Sequence, residues 1–104
     1  MENKILTICE HGNSRSVCLA WLLKQKYSKD AIACGICHTL PETFAMLCSW
    51  AELIIVTDKR ITHPELERNK EKVRIFDVGP DRFFMGYPGE LIGMYEKYIL
   101  TDGL

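Results

Sequence analysis

Lys4-Ile5-Leu6-Thr7-Ile8 is a short apolar run that stops at Cys9, and Glu10-His11-Gly12-Asn13-Ser14 then carries turn chemistry into Arg15. From Arg15 to Lys26 the chain is rich in good helix formers and predicts a largely buried helix. A strand that feeds a helix through a tight loop opens an α/β chain. The rest of the sequence can be read outward from this unit.

The alternation is repeated three more times. Ala31 to Cys34 is a second brief strand, closed by Gly35. Thr39-Leu40-Pro41-Glu42 has the capping-box pattern with proline in the first turn. Behind it Leu40, Phe44, Leu47, Cys48 and Ala51 recur at helical spacing as one buried stripe. Leu53 to Thr57 (LIIVT) is apolar without interruption, as expected of a central parallel strand buried on both faces. Asp58-Lys59-Arg60-Ile61 follows as a charged loop, and Thr62 to Glu65 is a second capping box opening a short polar helix. Val73 to Phe76 is the fourth strand, and Asp77 to Tyr87 a long loop with Gly79, Pro80 and Gly86. From Pro88 on, Leu91, Met94, Tyr95, Tyr98 and Ile99 form a last amphipathic stripe. Strands separated by helices run parallel with right-handed crossovers, and ligands of such sheets gather at the carboxyl ends of the strands. That edge collects Cys9 to Arg15, the Cys34-Gly35 corner, Asp58 to Arg60, and Asp77 to Tyr87. The expectation is one α/β domain over residues 1–104, a four-stranded parallel sheet flanked by helices.

Composition narrows the function classes. The 104 residues are 47% hydrophobic and 26% charged, too apolar for intrinsic disorder and too few for a second core. A formal charge of -1 argues against nucleic acid or an anionic membrane as the main partner. The longest apolar run, Val17 to Leu23, falls far short of a membrane span, and the start Met1-Glu2-Asn3-Lys4 does not read as a signal peptide. Five cysteines, an odd number, then point to reduced thiols in a cytoplasmic protein.

Cys9 to Ser16 carries the chemistry. Consecutive backbone N–H groups at a helix N-terminus cradle anions, with the helix dipole adding positive potential. Gly12 permits the backbone to turn those N–H groups inward, so Glu10, His11, Gly12, Asn13, Ser14 and Arg15 form the expected phosphate-binding loop. Arg15 can grip two phosphate oxygens through its planar fork. The same field favours a thiolate at Cys9, able to attack phosphorus, and Ser16 can donate to that sulfur. For this composition, C-x-x-G-x-x-R-[ST] is expected by chance in roughly one sequence in 600, before a strand ahead and a helix behind are required.

The loop resembles the Cys-x5-Arg-Ser signature of protein tyrosine phosphatases, and its place straight after the first strand resembles the low-molecular-weight class. Trp50 to Val56 is similar to the helix that leads into a central strand in that group. Phe76 to Leu91, with Pro80-Asp81, is similar to the acid loop and last helix of short bacterial phosphatases of this type. The resemblance implies a flavodoxin-like fold and hydrolysis of phosphomonoesters, phosphotyrosine on proteins first among them, through a cysteinyl-phosphate. It makes Cys9 the nucleophile, Arg15 the phosphate clamp, Ser16 the thiolate partner and Asp81 the general acid, with Asp77 second in line. No cofactor is implied. The partners would be a phosphorylated protein or small phosphoester, with inorganic phosphate or another oxyanion at the loop. The sequence also departs from the class. Gly12 and Asn13 sit one position later than usual, Gly12 matching the spacing of the larger tyrosine phosphatases, and Ser14 stands where a second cysteine is usual. Glu10, acidic beside an anion site, is expected to point outward.

Other features are assigned quieter roles. Cys34-Gly35-Ile36-Cys37-His38 spells a haem-attachment motif, but that chemistry belongs to exported proteins. Zinc wants four ligands, and in the sequence only Cys34, Cys37 and His38 lie together, so no metal is expected. Cys18 and Cys48 read as core residues, Phe83, Phe84 and Tyr87 as flanks for an aromatic phosphoester or as packing, and Lys59 and Arg60 as part of a solvated face. Three rival functions share this scaffold: arsenate reduction, which needs further cysteines; a phosphocysteine carrier, whose loops generally lack an arginine at the Arg15 position; and a module that binds phosphate without turnover.

Overall fold

The computed structural model describes residues 3–12, 14–79 and 89–104. Strands β1 (Lys4–Cys9), β2 (Asp30–Gly35), β3 (Leu53–Val56) and β4 (Val73–Ile75) alternate with helices α1 (Arg15–Tyr27), α2 (Pro41–Trp50), α3 (Pro64–Arg68) and α4 (Gly89–Asp102). The sheet order is β2-β1-β3-β4, and every pairing among these strands is parallel.

β1 and β3 occupy the centre, as their unbroken apolar runs require, since a central strand with helices on both sides has no wet face. Alternate residues divide between two cores. Ile5, Leu53 and Ile55 face one way, against Leu19, Leu23, Leu91, Tyr95 and Ile99 of α1 and α4. Leu6, Ile8, Ile54 and Val56 face the other, against Phe44, Cys48 and Leu66 of α2 and α3. The reversal of strand order between β1 and β3 creates a topological switch point, and a crevice opens where the two crossovers part. Cys9 ends β1 on one side of it, and Thr57-Asp58 follows β3 on the other. The Thr57 amide and hydroxyl both donate to the Ile8 carbonyl, at 3.0 and 2.9 Å, tying the two strand ends together.

Both capping boxes are corrected. α2 starts at Pro41 with Leu40 in the cap position, and the Thr39 hydroxyl donates instead to the Gly35 carbonyl, 2.7 Å away. Proline at the first helical position has no N–H to satisfy, which leaves the threonine free for the turn. α3 is capped by His63, whose Nδ1 accepts the Glu65 amide at 3.0 Å, and not by Thr62. Leu40 leaves the predicted stripe, being 68% exposed at the helix entrance, whereas Phe44, Cys48 and Ala51 are buried as expected. No helix among the described residues is long and apolar enough to cross a membrane.

Candidate active site

Cys9 ends a central strand with its side chain fully covered. Its sulfur accepts the Gly12 N–H at 3.0 Å and lies 3.0 Å from the Ser16 hydroxyl. The sulfur is thus held between a loop amide and a side-chain hydroxyl at the end of the strand. Ser16 is held in turn from below: the buried Thr7 hydroxyl donates to its carbonyl at 2.8 Å.

Two glycines make the loop possible. Gly12 has φ +75°, and a Cβ there would lie 2.5 Å from the Gly35 nitrogen. A Cβ on Gly35 would lie 2.2 Å from the His11 carbonyl carbon. The phosphate loop and the end of β2 therefore meet backbone to backbone, with no space for a side chain on either. Amides of the β2–α2 turn continue the contact, Ile36 donating to the Cys9 carbonyl at 3.0 Å and Cys37 to that of Glu10 at 2.9 Å. The brace holds the loop against the end of β2.

Arg15 is the first residue of α1 and is buried, with 1% of its surface exposed. One guanidinium nitrogen donates to Asp58 Oδ2 at 3.1 Å and to the Gly79 carbonyl at 2.8 Å. Its Nε finds no partner among the described residues, an orphaned buried donor beside the Cys9 sulfur's loop. A buried N–H without an acceptor costs stability unless a ligand supplies one, and a phosphate oxygen would. Tyr95 from α4 fixes the backbone here, its hydroxyl donating to the Arg15 carbonyl at 2.7 Å.

Asp58 is the member of this site to which the sequence assigned no role. It is 3% exposed and bridges Arg15 to Arg60, whose guanidinium donates from Nε to Oδ1 at 3.1 Å and from a terminal nitrogen to Oδ2 at 2.7 Å. The Arg60 guanidinium first, then the Arg60 amide and Arg15, hold its carboxyl well below the usual carboxylate range despite burial. Arg60 is exposed as expected of a solvated face, yet it also anchors the carboxylate that positions Arg15. The signal that could have found Asp58 was its place at the carboxyl end of the central strand, next to the switch point.

Of the predicted site residues, Cys9, Glu10, His11, Gly12, Ser14, Arg15 and Ser16 converge at the end of β1 and the start of α1. The Glu10 side chain is half exposed at the rim of the loop. Asn13 lies outside the described residues, as do Asp81, Phe83, Phe84 and Tyr87. Asp77 is described, and its Oδ1 accepts the Gly79 amide at 3.1 Å, a turn-capping contact. Glu10, Ile36, Cys37, Asp58, Arg60, Ile61 and Thr62 line a cavity of about 400 Å³ beside the loop.

No family model matches the sequence, and a search of curated proteins returns no match. Among solved structures, the YwlE arginine phosphatase from Geobacillus stearothermophilus superposes with a TM-score of 0.62 at 15% identity, over 96% of this chain and 94% of that one. The tyrosine phosphatase Wzb from Escherichia coli K30, solved in complex with sulphate, does so with a TM-score of 0.54 at 17% identity, over 92% and 90%. This chain therefore has the fold of these two phosphatases, the flavodoxin-like parallel sheet expected from the resemblance.

Proposed function

We propose that this chain hydrolyses phosphomonoesters through a phosphorylated Cys9, with phosphotyrosine on proteins as the substrate. A single observation carries the proposal: in one loop, a sulfur that accepts the Gly12 N–H and lies 3.0 Å from a serine hydroxyl, followed by a buried arginine with an unpaired Nε. Two phosphatases with the same fold add support.

The residues divide the work as follows. Phosphate oxygens take hydrogen bonds from the loop amides and from Arg15, which Asp58 holds in place, so the developing charge meets donors already aimed at it. The Cys9 thiolate attacks phosphorus, an S–P bond forms and the P–O bond to the leaving group breaks. Asp81, two residues along the chain from the Gly79 carbonyl that holds Arg15, gives the leaving oxygen its proton. It then takes one from the water that cleaves the S–P bond, and the Ser16 hydroxyl stabilises the departing thiolate.

The test is p-nitrophenyl phosphate hydrolysis across pH, with vanadate as competitor. Cys9→Ser should lower turnover by about a thousandfold or more with an unchanged circular dichroism spectrum. Full activity in that variant would overturn the proposal. Asp81→Asn should slow poor leaving groups most, by about a hundredfold. Phosphotyrosine and phosphoarginine peptides assayed side by side decide the substrate. Oxyanion binding without turnover would mark a binding module, and thiol-dependent arsenate turnover a reductase.

A further inference from the structure

On the rim of the phosphate loop, His11 Nδ1 faces His38 Nε2 at 3.2 Å, with the ring planes tilted by 40°. The two residues come from different turns, one after β1 and one after β2, brought together by the close contact of Gly12 with Gly35. Both side chains are exposed. The two rings share a hydrogen bond, one nitrogen donating to the other according to tautomer; two nitrogens bound to a tetrahedral zinc at 2.0–2.1 Å lie about 3.3–3.4 Å apart, so a cation can replace the shared proton with little change in their separation. On binding, each ring would turn about its soft terminal torsion, from the other nitrogen toward the ion. The outer ring nitrogen of His11, Nε2, lies 3.9 Å from Glu10 Oε1. A carboxylate that accepts from the far nitrogen of a ligating histidine orients the ring and raises its basicity, and at 3.9 Å Glu10 stands near that nitrogen without yet being hydrogen-bonded to it.

We infer that His11 and His38 form a site for a divalent cation of borderline softness, Zn2+ foremost, that clamps the tip of the phosphate loop to the β2–α2 turn. Among the described residues no three His, Cys, Asp or Glu side chains converge as a metal-binding group. The ion therefore takes two imidazoles from the protein and completes its shell with water. Imidazole pairs suit Zn2+, Co2+, Ni2+ and Cu2+ and discriminate against Mg2+ and Ca2+. The sequence counted Cys34, Cys37 and His38 as the only neighbouring ligands, because His11 lies 27 residues from His38 and reaches it only through the fold.

The experiment uses the full chain carrying Cys9→Ser, which removes the phosphate-loop thiol as a competing ligand and makes the result independent of turnover. Zn2+ is titrated in competition with a chromophoric chelator, and the thermal midpoint is followed as Zn2+ is added. The expected result is one saturable site and a Zn2+-dependent rise in midpoint, because binding favours the folded state. His11→Ala, His38→Ala and His38→Gln should each weaken binding by about tenfold or more, at least what loss of an outer partner costs. Cys37→Ser should leave it unchanged. No saturable binding, binding indifferent to the histidine substitutions, or binding lost with Cys37→Ser and kept in His38→Ala would each overturn the assignment.

Discussion

Asp58 concentrates the electrostatics of the site in one side chain. It lies 43 residues from Arg15 in the chain, so no local motif could announce the pair. Removing it leaves a buried guanidinium without its counter-charge, and breaking such a pair by deleting one partner is strongly unfavourable. Asp58→Ala should therefore cost about 3 kcal/mol in urea unfolding and lower kcat, because Arg15 loses its fixed orientation. The pH dependence has a definite sign. Since the folded carboxyl titrates below its unfolded value of about 3.9, its stabilisation is complete above that pH and is lost as pH falls through the folded pKa. The acid limb of stability should thus be steeper in the natural protein than in Asp58→Ala. The other buried thiols behave oppositely to a nucleophile. Burial pushes Cys18 and Cys48 up to about 11, which keeps them protonated and inert at neutral pH, as their reading as core residues implies.

Between elements, the contact that shapes the site is the one between the phosphate loop and the end of β2. The need for glycine at position 12 could be argued from the turn itself, which requires positive φ and inward N–H groups. The need at position 35 could not, because it arises from a second backbone lying where a Cβ would stand. Gly35→Ala must displace the loop or the strand end. It should destabilise the protein by about 1–3 kcal/mol. It should also reduce kcat by about a hundredfold, since a loop moved by about 1 Å misplaces its amides. A variant with native activity would mean that the loop does not depend on this contact. Helix starts show the same division. Pro41 marked the start of α2 correctly, but the capping groups of both helices were decided by what the neighbouring turns offered, the Gly35 carbonyl to Thr39 and the Glu65 amide to His63.

Across the whole molecule, the last helix closes on the first. Tyr95 is fully buried in the core on the α1 side and donates to the Arg15 carbonyl, 80 residues back. Tyr98 stacks on Phe76 with ring centroids 5.0 Å apart and donates to the Asp77 carbonyl at 2.9 Å, anchoring the chain just past β4. Tyr95→Phe should cost about 1–3 kcal/mol by leaving that carbonyl short of a partner. Its effect on kcat should be smaller than that of Asp58→Ala, since the guanidinium keeps its own contacts. Urea unfolding and kinetics on the same samples check both. The sequence alone determined the alternation of strands and helices, the central place of the apolar runs, and the cysteine, arginine and serine of the loop. Those features rest on local periodicity and on residues within one turn of each other. The tertiary structure decided which carboxylate holds the arginine, which glycine faces which backbone, and which two histidines meet. Each of those pairings joins segments that are distant in the chain, and only the parallel sheet brings their ends to a single edge.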